Sequence, residues 1–197
     1  MTTTKSEVLL HTPGHVKHDG HNLTGFIIFL CSESIIFFAF FVGYAVLKLT
    51  APTWYPDGVS GIAVREPLIN TIILVSSSFV IYFAERYLHK KNYWGFRIVW
   101  LVTMLMGSYF VYGQYFEWSE LSFSLSSGVF GSLFYLLTGF HGLHVITGIL
   151  LMGLMLIRSF IPGNYDSGEM GVESVSLFWH FVDVIWIILF VLIYVWQ

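Results

Sequence analysis

Apolar residues fall in five long blocks, near 23–49, 67–88, 96–116, 127–157 and 174–196, and Gly, Pro or charged residues fill the short segments between them. A helix needs about 20 mostly apolar residues to cross a bilayer, so each block is long enough to span one. The residue alternation of a membrane barrel is absent, and a helix satisfies its own backbone in lipid. The pattern predicts an all-α chain, an integral membrane bundle of five transmembrane helices, with a polar tail over 1–22 and a membrane domain over 23–197. Pro52, Pro56, Asp57 and Gly58 punctuate the first link, and Pro67 sits in the first turn of the second helix, where a missing N–H is tolerated. The fourth block is longer than a bilayer requires and is expected to tilt or project. There is no internal repeat and no low-complexity segment.

Composition sharpens this picture. Hydrophobic residues make up 56% of the chain and charged residues 11%, against roughly 25% charge in an average soluble domain. So few charges cannot coat a water-facing surface. A formal charge of -3 leaves no footprint for nucleic acid or for an acidic substrate. The 1–22 stretch lacks the apolar core of a cleavable signal, so the first helix is expected to direct insertion. Cys31 is the single cysteine, which excludes an intrachain disulfide, and a lone thiol in an apolar run is expected to fill core space.

The basic residues set an orientation. Lys5, Lys17, Arg86, Lys90, Lys91, Arg97 and Arg158 fall on the N-terminal side of the membrane, and Lys48 and Arg65 fall opposite. The positive-inside rule then makes the N-terminus cytoplasmic and places Gln197 on the periplasmic or lumenal side. Trp54, Tyr55, Trp94, Trp118 and Trp196 stand near the block ends, where aromatic rings favour the headgroup zone.

Ionisable groups inside a membrane cost several kcal/mol unless paired, so each asks for a partner or a function. Glu33 lies roughly 10 residues into the first block, about 15 Å deep and close to the midplane. His141 and His144 lie three apart on the fourth helix, a spacing that puts them on one face, and His180 and Asp183 repeat it on the fifth. A carboxylate three residues from an imidazole can accept its N–H and fix its tautomer. Asn70 and Gln114 add hydrogen-bonding capacity on the second and third helices. Imidazoles and carboxylates are ordinary metal ligands, and Glu and His chains also mark proton paths. The spacing alone favours polar connection between helices over either role. Two His at i, i+3 cannot hold opposite faces of a haem, and no CxxCH is present. No catalytic, cofactor-binding or metal-binding residue is therefore assigned. The tail residues His11, His15, His18 and His21, interleaved with Gly14 and Gly20, read as a solvated segment rather than a metal site. Ser127-x-x-x-Gly131, Gly128-x-x-x-Ser132, Gly139, Gly142 and Gly148 point to close helix contacts along the fourth helix.

Several of these blocks resemble one known family. Phe29-Leu-Cys-Ser-Glu33-Ser-Ile-Ile-Phe-Phe38, Pro67-Leu-Ile-Asn-Thr71, Gln114-Tyr-Phe-Glu117, Ser127-Gly-Val-Phe-Gly-Ser132, Thr138-Gly-Phe-His-Gly-Leu-His-Val-Ile-Thr-Gly148 and Phe178-Trp-His-Phe-Val-Asp-Val-Ile-Trp186 are similar, in order and spacing, to segments of subunit III of cytochrome c oxidase and its quinol-oxidase relatives. The chain departs from the seven-helix members in lacking their first two helices, one arm of a lipid-holding cleft, and so resembles a five-helix bacterial short form. No residue is assigned to a lipid site.

The resemblance implies a subunit without haem or copper. Those cofactors would reside in partner subunits, with subunit I in direct contact and subunit II in the same complex, in the bacterial plasma membrane or an internal energy-coupling membrane. It implies a role in stabilising the subunit that reduces dioxygen to water, in supporting proton uptake and in holding structural lipids, with Glu33 as the family's buried membrane carboxyl. Phe140 before His141 resembles the cytochrome c branch more than the quinol branch. A proton-coupled transporter using Glu33, His141, His144 and Asp183 is the competing class, although repeats and broken helices are missing. A membrane metalloenzyme or haem cytochrome is the third reading.

Overall fold

A computed structural model describes residues 19–196 apart from 57, 60, 162, 164 and 166–168, with side chains described from residue 23 onward. His11, His15, His18, the side chain of His21, Lys5, Lys17 and Gln197 lie outside the described residues. The described residues form α1 (Asp19–Thr50), α2 (Arg65–His89), α3 (Tyr93–Glu120), α4 (Gly128–Arg158) and α5 (Met170–Phe190), and α5 runs on into a wider π turn, Val191–Val195. All five are long and apolar enough to cross a membrane. Their ends extend the apolar blocks by a few polar residues, because a helix already nucleated continues past the hydrocarbon edge until a breaking signal arrives.

Those signals are visible. The α2–α3 link turns through Lys91 at φ 56, and Asn92 caps α3 by accepting the Gly95 N–H at 3.0 Å. Pro67 lies in the first turn of α2, and its carbonyl accepts the Thr71 hydroxyl at 2.7 Å. Gly128 takes a φ of 82 as α4 begins, a conformation that strains any residue with a Cβ.

Helices α2, α3, α4 and α5 close a four-membered ring, each packed on the next and α5 back on α2, while α1 leans into the outer groove between α4 and α5. Of the most apolar stretch of α5, 56% is buried, against 11% for α1. This corrects the expectation for Cys31. The thiol is exposed, because α1 touches protein along one narrow stripe, Leu30, Phe37 and Tyr44, and turns the rest outward. Ile35, Phe38, Phe79, Leu105 and Leu150 likewise face out, an apolar perimeter that suits lipid and not water.

Glycine notches on α4 receive aromatic rings. A Cβ on Gly148 would stand 2.8 Å from the Trp179 indole, and one on Gly139 would stand 3.3 Å from Trp118. Gly131 faces the Ser124 carbonyl, and Gly142 faces open space. The small-residue pattern thus marks ring insertion more than backbone-to-backbone approach.

Both ends of the bundle are fastened. At the end bearing residues 50, 65 and 120, Trp54 and Ile62 of the link after α1 pack inward. Trp54 packs edge-on against Tyr44 at 5.2 Å and Phe130 at 5.5 Å, and Lys48 donates to the Trp196 carbonyl while lying 4.6 Å over its ring. At the other end Arg97 donates to Ser159 and lies 4.2 Å over Phe160. Tyr165 donates to the Met155 carbonyl at 2.6 Å, and burial pushes its phenol up.

Candidate functional site

The first polar contact joins α1 to the ring. His144 Nδ1 lies 2.8 Å from the Phe140 carbonyl, an acceptor, so that nitrogen donates. Nε2 faces Glu33 Oε2 at 3.3 Å. With Nδ1 committed, the contact holds together only with a proton between Nε2 and the carboxyl, whichever partner carries it. Phe37 edges onto the same imidazole with ring centroids 5.0 Å apart. Water is kept away on that side.

The second joins α2 to α5, and here the structure corrects the expected pairing. Asp183 does not take the His180 N–H directly. Ser78 stands between them, donating its hydroxyl to Asp183 Oδ2 and lying 2.9 Å from His180 Nδ1. The hydroxyl proton is used, so Nδ1 donates to Ser78. Three residues of helix rise separate the two α5 side chains, and a hydroxyl from the facing helix fills the gap. The pattern continues along the interface, where Trp179 Nε1 donates to Ser77 Oγ at 2.8 Å and Trp186 Nε1 donates to Thr71 Oγ1 at 2.8 Å. Hydroxyls of α2 thus meet polar groups of α5 over two turns.

The third lies between α3 and the end of α5. Gln114 donates to Glu117 Oε2 at 3.0 Å, and Tyr194 donates to Glu117 Oε1 at 2.8 Å. Asn70 is buried beside Gly113, where a Cβ would come within 2.3 Å of its amide. A cavity of about 350 Å³ opens here, with Glu66, Asn70, Glu117 and Glu120 in its wall.

His141 behaves differently from His144. It is 1% exposed, stacks on Trp186 at 4.9 Å and meets Phe110 edge-on at 5.9 Å. Neither ring nitrogen has a hydrogen-bond partner among the described residues. A separation of three residues turns a helix by about 60° short of a full circle. That is enough to send one imidazole into the ring and the other toward α1. The intramembrane His therefore do not share a ligand position. Sequence reasoning missed Ser77, Ser78, Thr71, Glu117 and Tyr194 as partners. The triple Ser76-Ser77-Ser78 inside an apolar block was the available signal.

Residues 8–197 match the family model for cytochrome c oxidase subunit III. The chain belongs to that family. It is 41% identical over 189 residues to the cytochrome c oxidase subunit 3 of Synechocystis sp., covering 93% of this chain and 81% of that one. Against the Thermostichus vulcanus subunit 3 the identity is 42% over 180 residues, covering 91% and 89%. Against that of Oryctolagus cuniculus it is 38% over 179 residues, covering 87% and 68%. As a subunit III family member with five membrane-spanning-type helices, the chain is an integral membrane protein of an oxidoreductase complex.

Proposed function

We propose that this chain is the non-redox subunit III of a bacterial cytochrome c oxidase that reduces dioxygen to water and pumps protons. It packs against subunit I, with subunit II in the same assembly and haem and copper held by those partners. Its work is to stabilise the catalytic subunit, support proton uptake and hold lipid, with its N-terminus cytoplasmic. The observation that carries this reading is where the intramembrane polar groups find their partners. Glu33 on α1 pairs with His144 on α4, Ser78 on α2 bridges His180 and Asp183 on α5, and Tyr194, in the turn after α5, reaches Glu117 on α3. Groups satisfied in this way connect helices. The groove of about 430 Å³ between α3 and α4, walled by Phe110, Trp118, Gly142, Leu143 and Ile146, supports the lipid part, because it offers an acyl chain an apolar slot.

The test is an Asp183→Ala oxidase, measured for subunit retention in detergent and for oxygen consumption in the first seconds of turnover. Loss of the subunit with the haem spectrum and initial turnover intact is expected. Full retention with immediate loss of turnover or pumping would make the polar groups part of the proton chemistry and overturn the connecting role.

A further inference from the structure

Away from the membrane interior, two helix ends bring three metal-ligating side chains together. His89 is in the last turn of α2, Glu169 is the residue preceding α5, and Glu173 is in its first turn. Four residues apart, the two carboxylates lie on one face of α5, above one another. His89 Nδ1 lies 2.5 Å from Glu169 Oε2, and one ligand atom from each of the three residues falls within 4.8 Å of the others. Among the described residues this is the cluster in which three such groups converge.

We infer that His89, Glu169 and Glu173 form a binding site for a borderline divalent cation of the zinc class, tying the end of α2 to the start of α5. One imidazole nitrogen and two carboxylate oxygens suit Zn²⁺ and its transition-metal neighbours, whereas Mg²⁺ and Ca²⁺ prefer all-oxygen shells. Ligands at about 2.0–2.2 Å in a tetrahedron stand about 3.3–3.6 Å apart. The His89–Glu169 contact then opens by about 1 Å and Glu173 swings in, changes that side chains make by rotation. The metal takes the place of the proton that His89 Nδ1 now donates, as deprotonated ligation requires. A fourth position faces solvent on the side of His89, whose side chain is 56% exposed, and takes water.

The helix arrangement gives the cation a structural use. α2 and α5 are held together through the membrane by hydroxyl contacts from Ser77, Ser78 and Thr71, and a metal at 89/169/173 extends that seam beyond the hydrocarbon. The two carboxylates beside one imidazole supply negative charge, and a divalent ion bound between them offsets it.

The probe is Zn²⁺ added to the detergent-extracted complex carrying this chain, after chelator stripping, with bound zinc counted by equilibrium dialysis. Sites on other subunits remain in every sample, so the difference between variants is read. One zinc per complex fewer, or about tenfold weaker binding at that site, is expected for His89→Ala and for Glu173→Gln. Glu173→Gln leaves the His89–Glu169 pair whole, so it separates a metal site from a simple ion pair and stands in if His89→Ala releases the subunit. Zn²⁺ is also expected to raise the temperature at which the wild-type complex sheds this chain, and to leave the Glu173→Gln complex unmoved. Equal zinc binding in wild type and Glu173→Gln would overturn the assignment. So would displacement of the zinc by an equal concentration of Mg²⁺, which would mark a diffuse acidic surface.

Discussion

The indole of Trp179 is wedged against the bare backbone of Gly148, and its far edge meets Gly107 on the third helix of the same ring. A Cβ at Gly148 would stand 2.8 Å from Trp179 Cε3, and one at Gly107 would stand 2.5 Å from Cη2. The indole cannot retreat, because its Nε1 is held by Ser77 on the opposite helix. Gly148→Ala and Gly107→Ala should each destabilise the bundle by about 1–3 kcal/mol, the usual range for overpacking a filled core. Gly43→Ala should be silent, since nothing lies within 4 Å of that position. Thermal release of the subunit from detergent-solubilised complex measures all three, and a Gly43→Ala effect as large as that of Gly148→Ala would contradict the packing.

Ser78 supports two α5 side chains at once, and its removal should therefore look like the removal of either. Ser78→Ala strands His180 Nδ1 and Asp183 Oδ2 together, each an unsatisfied buried group costing roughly 1–3 kcal/mol. The Ser78→Ala, Asp183→Ala double variant should lose less than the sum of the single losses, because the shared bond is broken only once. Retention midpoints in a detergent series give the comparison. Strict additivity would mean that the serine and the carboxylate act independently.

The five spans were legible because their lengths and breaks are one-dimensional properties, set by hydrocarbon thickness and by Pro, Gly and charge. The placement of Glu33, His144, His180 and Asp183 within three of those helices was legible for the same reason. Partnership was not. Whether His180 meets Asp183 directly or through Ser78 depends on how α2 is rotated against α5, and a serine in an apolar block carries no mark of what it faces. The contrast between His141 and His144 has the same origin. Spacing placed them together, and the 60° between them, which matters only once neighbours are in place, sent them to different surroundings. Cys31 shows the limit of composition, because an apolar run tells that a residue avoids water and leaves open whether protein or lipid replaces it.

The distribution of Lys and Arg predicts the sidedness of the chain. In a Cys31→Ser background, Thr53→Cys should react with a membrane-impermeant maleimide applied to the periplasmic face, and Lys90→Cys should react only after permeabilisation. Both positions are exposed and lie in links at opposite ends of the bundle. The expectation follows from seven basic residues on one side against Lys48 and Arg65 on the other. Reversed labelling would invert the topology and put the His89, Glu169 and Glu173 cluster on the periplasmic side.

Tyr194, in the π turn that follows α5, reaches Glu117 on α3. Ile193 and Tyr194 are each 1% exposed and continue the buried face of α5 into that turn. The phenol donates to Oε1 of Glu117 while Gln114 donates to Oε2, so each oxygen of a carboxyl near the membrane edge has its own donor. Tyr194→Phe keeps the ring and removes one donor. It should cost about 1–3 kcal/mol, because Glu117 Oε1 loses its donor and is left against an aromatic edge. Gln114→Leu should cost a similar amount by exposing Oε2 to the same deficit. If the carboxyl is the common acceptor, adding Gln114→Leu and Glu117→Leu together to the Tyr194→Phe variant should recover part of the loss, since apolar groups in contact leave neither donor nor acceptor unsatisfied among them. Unfolding midpoints for the single and triple variants decide it, and a triple variant that is weaker than each single would show that Glu117 holds the bundle through some contact other than Gln114 and Tyr194.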